Sequence, residues 1–110
     1  MTFVVVSTTV ANRAKALKLA TIVVRQKLAA CVQYLPIGSV YRWKGKVETA
    51  SEYLLLAKTR AQKASELVSF IRKHHTYELP EITVMPIIGG LGEYLDWIKR
   101  ETTVPRKRGA

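Results

Sequence analysis

Residues 74 to 86 read His-His-Thr-Tyr-Glu-Leu-Pro-Glu-Ile-Thr-Val-Met-Pro. Imidazole, phenol and carboxylate groups crowd into this one short stretch. Such groups exchange protons, bind metal ions and orient polar ligands. A helical pattern ends at the two histidines, and a strand pattern begins at Glu81-Ile82, so the groups fall in a loop at a sheet edge. Loops held by a rigid sheet are common binding sites. A plain helix stop is the alternative: histidine suits the negative end of the helix dipole, and Pro80 blocks continuation.

A second set lies on two strands near the middle of the chain. Period two puts Ser39, Tyr41 and Trp43 on one face, and Glu52 and Lys58 on one face beside Leu54 and Leu56. A carboxylate and an amine among leucines must be paired or stand at a cleft. An ordinary ion pair, across strands or between subunits, serves that need equally well. Metal-site spacing is absent: there is no CxxC, no HExxH and no pair of histidines four apart. His74 and His75 are adjacent, so on a helix they point about 100° apart. Cys31 follows Ala29-Ala30 at a helix-strand junction and reads as a small core residue.

The elements that position these groups follow from hydrophobic period. Phe3-Val6 is a short apolar strand. Thr8, Thr9 and Asn12 offer caps for a helix from Asn12 to Ala30, with Leu17, Ala20, Val24 and Leu28 on its inner face. Lys15, Lys18 and Arg25 cluster around Ile22 on another side. Cys31 to Trp43 is a long extended stretch in which Pro36 and Gly38 suggest a bend or bulge. Lys44-Gly45-Lys46 is a hairpin turn, and Val47 to Lys58 is the returning strand. A second helix runs from Arg60 to about His75, with Ala64, Leu67, Phe70, Ile71 and His74 at helical spacing. Ile82 to Pro86 is the fourth strand. Gly89-Gly90 breaks the chain before a last helix, with Leu91, Leu95 and Ile98 inward and an Asp96–Arg100 pair outside. The order β-α-β-β-α-β plus a helix is the α+β ferredoxin-like plan, expected as one domain over residues 1–102. Residues 103–110 read as a basic, disordered tail.

The chain has 110 residues, 18 basic against 8 acidic, a net charge of +10. The charge is lopsided, since Glu48 is the first acidic residue and eight basic ones precede it. That balance fits anionic partners or simple solubility. No apolar run is long enough to span a membrane, and the start does not resemble a signal peptide. With its one cysteine, these features lead to an expected cytoplasmic setting and no membrane partner.

Strand composition adds a conclusion about assembly. A sheet with helices on one face and water on the other shows alternation. Here Phe3-Val6 and Tyr53-Leu54-Leu55-Leu56-Ala57 are apolar at every position. Both faces therefore need cover, and the chain has helices for about one. The second face is expected to be buried against other copies of the chain, with the long central strands presenting edges for pairing.

The ordered motifs Leu28-Ala-Ala-Cys-Val32, Ser39-Val-Tyr41-Arg-Trp43-Lys-Gly-Lys46, Glu52, Lys58-Thr59, His75-Thr-Tyr77-Glu-Leu-Pro80-Glu81 and Tyr94-Leu-Asp-Trp97 resemble the CutA family of divalent-cation tolerance proteins. The resemblance covers about residues 3 to 102. It implies a tight homotrimer related in architecture to the PII signalling proteins, a cytoplasmic setting, a link to tolerance of copper and other divalent metals, and no settled catalytic activity. The family's polar set carries over to Tyr41, Trp43, Glu52, Lys58, His75, Tyr77 and Glu81, expected near clefts between subunits. Cys31, His74, His75 and Glu81 are the metal candidates. The chain departs from the family pattern at Thr76, where proline is usual, and at the start of the first helix, which is basic rather than acidic. Cysteines of some members align with Thr8 and Phe70, so soft ligands for Cu(I) are mostly missing, and imidazole with carboxylates suits Cu(II), Zn or Ni weakly.

The expected function is therefore metal-ion tolerance or response by binding rather than catalysis. The alternatives are a PII-like sensor of small anions or metabolites in the same clefts, and a trimeric scaffold for other proteins. The aromatic motif by which sheets of this plan stack RNA bases is absent, so no specific nucleic-acid partner is expected.

Overall fold

The computed structural model describes residues 2–105. Its elements are β1 (Phe3–Val10), α1 (Arg13–Arg25), β2 (Cys31–Trp43), β3 (Lys46–Arg60), a 3-10 turn (Ala61–Lys63), α2 (Ala64–His74), β4 (Ile82–Pro86) and α3 (Gly92–Glu101). The strands form one antiparallel sheet in the order β2-β3-β1-β4. The fold is α+β, with one four-stranded sheet and three helices. Thr103 to Pro105 lack regular structure. The rest of the basic end, Arg106 to Ala110, lies outside the described residues.

Register decides which side chains meet the helices. Val4, Val6 and Val10 of β1 share a face with Ala57 and Leu55 of β3 through the pairs Val6↔Ala57 and Thr8↔Leu55. These pack with Ala16, Leu19, Ala20 and Val23 of α1 and Leu67 and Ile71 of α2 in one core. Leu67 is 0% exposed. Burying such a leucine contributes about 1.5–3 kcal/mol.

Several expectations change here. The inner face of α1 is Ala16, Leu19, Ala20 and Val23, while Leu17 and Val24 are exposed. The helix stops at Arg25, and Lys27 turns left-handed at φ 59°. Leu28 is buried, but in the connection to β2 rather than on the helix. Including it in the period rotates the stripe to the wrong residues. Thr8 and Thr9 are buried β1 residues, not caps. Asn12 alone caps α1, its Oδ1 accepting the Lys15 N–H at 2.9 Å. Pro36 and Gly38 cause no bulge, because pairing with β3 runs unbroken from Cys31↔Lys58 to Trp43↔Lys46. A proline is tolerated because β2 is an edge strand. Arg60 ends β3 instead of starting α2. In α3, Leu91 is exposed, and Arg100 pairs with Glu101 at 3.7 Å, not with Asp96.

β1 pairs with β3 only from Tyr53 to Arg60. Lys46 to Glu52 pairs with β2 alone, so the hairpin projects from the sheet as a two-stranded arm. Its turn places Lys44 at φ 49° and Gly45 at φ 82°. Two positive φ values match the twist of a tight hairpin, and glycine adopts one without strain.

The opposite sheet face differs from the core face. Val5, Leu35, Leu54, Leu56 and Met85 share it by register. Only α3 crosses it, at the end where β3 finishes. There Arg60 donates from Nε to Thr102 Oγ1 at 2.9 Å and from Nη2 to the Thr102 carbonyl at 2.8 Å. Ile98 of α3 is fully buried yet lies outside the main core. The remainder of this face carries no helix, and Leu35 stays 41% exposed. The two-sided apolar pattern of the strands is therefore physical, and the chain's own helices satisfy one side and a corner of the other.

Candidate functional site

The candidate site begins where α2 ends. His75 is the C-cap of α2 in an extended conformation, φ −85° and ψ 146°, which turns the chain away from the helix axis. Its Nδ1 accepts the Tyr77 backbone N–H at 3.1 Å. An acceptor nitrogen carries no proton, so Nε2 holds it and donates to the Thr9 carbonyl at 2.7 Å. The local hydrogen bonds thus set a neutral imidazole with both nitrogens engaged. Its ring meets that of Tyr77 at 4.7 Å between centroids.

Tyr77 then reaches β3. Its hydroxyl donates to Glu52 Oε2 at 2.9 Å. Glu52 is 9% exposed although it is a carboxylate. Charge-assisted hydrogen bonding offsets part of the desolvation. Burial, the hydrogen bond to Glu52, its negative charge and nearby Tyr41 push the Tyr77 phenol up to about 12. Tyr41 therefore belongs to the same neighbourhood. Lys44 Nζ at the hairpin turn stands 3.8 Å from Glu78 Oε1, tying the loop to the arm. Both partners are exposed, so this contact positions more than it stabilises. A cleft of about 450 Å³ lies beside Glu52, lined also by Asn12, Pro36, Ile37 and Tyr53.

The structure brings His75, Tyr77, Glu52 and Tyr41 together. It does not bring in Lys58, which lies at the other end of the open face. Lys58 Nζ donates to Gln33 Oε1 at 2.7 Å and sits 5.8 Å from the Tyr94 ring centroid. Of the two charges on this strand face, Glu52 is held by Tyr77 and Lys58 by Gln33, and neither makes an ion pair among the described residues. Trp43 stays on the arm, with Lys44 Nζ 5.5 Å from its ring. Glu81 is exposed and directly precedes β4.

The metal candidates do not converge within one chain. Among the described residues no three His, Cys, Asp or Glu side chains are grouped so as to hold an ion. Cys31 is opposite Lys58 in the ladder. His74 is exposed on α2, its Nδ1 2.9 Å from the Phe70 carbonyl and its ring stacked on Phe70 at 4.1 Å. His75 cannot ligate through either nitrogen without giving up a hydrogen bond. As one four-residue site, this set does not fit a metal ion.

Sequence reasoning missed Thr9, Gln33 and Tyr94 as partners. Gln33 was accessible, because period two places it on the face of Cys31, across from Leu56 and diagonal to Lys58. The Thr9 carbonyl was not, since no side-chain signal marks a backbone acceptor.

A family profile described as CutA1 divalent ion tolerance protein matches residues 4–101. The chain belongs to the CutA1 family. It is 46% identical over 100 residues to "Protein CutA, chloroplastic" of Arabidopsis thaliana, covering 90% of this chain and 55% of that protein. It is 42% identical over 81 residues to "Divalent-cation tolerance protein CutA" of Archaeoglobus fulgidus, covering 74% of this chain and 79% of that one. The chain thus spans about half the length of the plant relative and most of the archaeal one. The crystal structure of CutA1 from Oryza sativa matches with a TM-score of 0.90 at 41% identity, over 94% of this chain and 95% of that chain. The family's description names tolerance of divalent ions, not a catalysed reaction.

Proposed function

We propose that this CutA1-family chain acts as a cytoplasmic homotrimer in tolerance of, or response to, divalent metal ions, copper among them, by binding rather than catalysis. Its subunit is of ferredoxin-like plan, related in assembly to PII proteins. One observation carries the reading: a sheet face of Val5, Leu35, Leu54, Leu56 and Met85 with no helix over most of it, bordered by the buried Glu52–Tyr77 pair. Burying that face between copies removes apolar area from water and closes clefts around Glu52, Tyr41 and Tyr77. The lone cysteine suits a reducing compartment. In this reading a divalent ion such as Cu(II) is held by ligands from more than one protomer, the exposed Glu81 carboxylate among them.

Native mass spectrometry of metal-stripped protein, alone and with stoichiometric Cu(II) and then Zn(II), tests the proposal. A trimer with a fixed small number of ions, lost on Glu81→Gln, is the expected result. A trimer that remains bare with both ions overturns the metal reading. A second reading, a small-anion sensor, is favoured by Lys58, a cation on the open face bonded to neutral Gln33. It predicts a rise in Tm with phosphate at constant ionic strength, abolished by Lys58→Ala.

A further inference from the structure

The net charge of this protein is segregated by layer. α1 and the turn after it carry Arg13, Lys15, Lys18, Arg25 and Lys27 and no acid. The second helical segment, 61–74, adds Lys63, Arg72 and Lys73 against Glu66 alone. In the rest of residues 2–105 seven basic side chains are matched by seven acidic ones. The excess within the described residues therefore sits wholly on the helical layer, the side turned away from the open sheet face. Of these cations only Lys63 has a carboxylate partner among the described residues, Glu66 at 3.8 Å. Arg72 makes one long contact, 3.4 Å, to the Glu78 carbonyl.

The chemistry of the layer narrows the partner. Arg13, Lys15, Lys18 and Arg25 are all exposed. On the α1 wheel Lys18 and Arg25, two turns apart, lie about 40° to one side of a line through Ala14 and Thr21 that faces away from the buried Ala16, Leu19, Ala20 and Val23. Across that line Leu17 and Val24, also two turns apart, are 45% and 40% exposed. Exposed aliphatic side chains beside cations are of no use against a phosphodiester backbone, but they enter the headgroup layer of a bilayer. The outward positions of α1 offer no aromatic ring for base stacking, and on α2 the Phe70 ring is already stacked by His74 at 4.1 Å. Two helices lying side by side on a sheet present a broad, flat face, which matches a planar surface. None of the described helices is long and apolar enough to cross a membrane, so the contact is peripheral.

We infer that the α1–α2 face is a docking surface for an anionic lipid bilayer, with Lys18 and Arg25 at its centre and Leu17 and Val24 as shallow anchors. The inference is independent of the metal reading, because it uses the opposite side of the sheet.

Co-sedimentation of the full chain with neutral phosphatidylcholine vesicles, and with vesicles containing phosphatidylglycerol, tests it. The wild-type chain should pellet with the anionic vesicles only, and less as salt rises. Each Lys or Arg near an anionic surface contributes about five-fold in affinity. Lys18→Ala/Arg25→Ala should therefore weaken binding on the order of twenty-fold, whereas Lys46→Ala/Lys99→Ala, away from the face, should leave it within about two-fold of wild type. Leu17→Ser/Val24→Ser should weaken binding with the charge unchanged. These positions are exposed, and circular dichroism confirms folding of each variant. Equal binding to neutral vesicles, or no binding to anionic ones, overturns the inference. So does full binding by the Lys18/Arg25 variant, including the case in which Arg106→Ala/Lys107→Ala/Arg108→Ala alone abolishes it. Tighter binding to duplex DNA at equal phosphate concentration, with displacement from vesicles, reassigns the face to nucleic acid.

Discussion

The two faces of the sheet are built from alternate residues of the same strands, yet they differ in what covers them. On β3 the residues Tyr53, Leu55, Ala57 and Thr59 point to the helices, and Glu52, Leu54, Leu56, Lys58 and Arg60 point away. The first set meets α1 and α2 in an aliphatic core without an ionisable group at its centre. The second mixes leucines with charges, each charge held by a specific partner: Glu52 by Tyr77, Lys58 by Gln33, Arg60 by Thr102. One face is complete in a single chain. The other has its polar groups already oriented and much of its apolar area still uncovered. That combination is what the proposed self-association would use, and it differs from a solvent face, which alternates with polar residues.

The contrast can be broken most strongly at Leu35. On the open face, Leu35→Glu places a charge in the proposed interface and should abolish assembly while far-UV circular dichroism stays native, as sedimentation velocity would show. On the helix face, Leu67→Ala should act on the fold itself. It should cost about 2–5 kcal/mol in denaturant unfolding at any protein concentration. Equal concentration dependence for both variants would erase the distinction between the faces.

Tyr77→Phe acts where the open face meets the loop after α2. It removes the donor to Glu52 and should cost about 1–3 kcal/mol, because a buried carboxylate is left short of a partner. The alkaline limb of stability reports the burial of Tyr77 together with that bond. The folded chain holds the Tyr77 proton up to about 12, above the ordinary phenol value of 10.0, so it keeps that proton where the unfolded chain loses it. This contribution is present below pH 10.0 and is lost as pH rises toward 12. Urea midpoints across that window should fall less steeply for Tyr77→Phe than for wild type. The smallest effect is expected at Asn12, whose cap serves only the helix layer. Asn12→Ala should cost about 1 kcal/mol by thermal unfolding.

Element order was legible in the sequence because strand and helix periods differ and the Lys44-Gly45 turn is unambiguous. The partition of β2 and β3 into faces was legible for the same reason, since period two leaves no freedom once pairing is regular. The inner face of α1 was not. Ala16, Leu17, Leu19, Ala20, Ile22, Val23 and Val24 are apolar nearly all round the helix, and only packing against the sheet selects among them. Thr8 and Thr9 read as caps by residue type, but β-branching also suits a strand, and pairing to Leu55 and Leu54 decides the matter. In the site, the nearness of His75 and Tyr77 was legible from the loop, but parity grouped Glu52 with Lys58, and only the family resemblance set Glu52 beside the loop residues. The tautomer of His75 was not legible, because it depends on the Thr9 carbonyl and the Tyr77 N–H, two backbone groups that residue types do not reveal.

Sedimentation equilibrium of the full chain at micromolar concentration gives the number of chains that share the open face. The proposed trimer predicts a mass three times the 12.4 kDa of one chain, returning to one chain for Leu35→Glu. A wild-type protein that sediments as a single chain would contradict it.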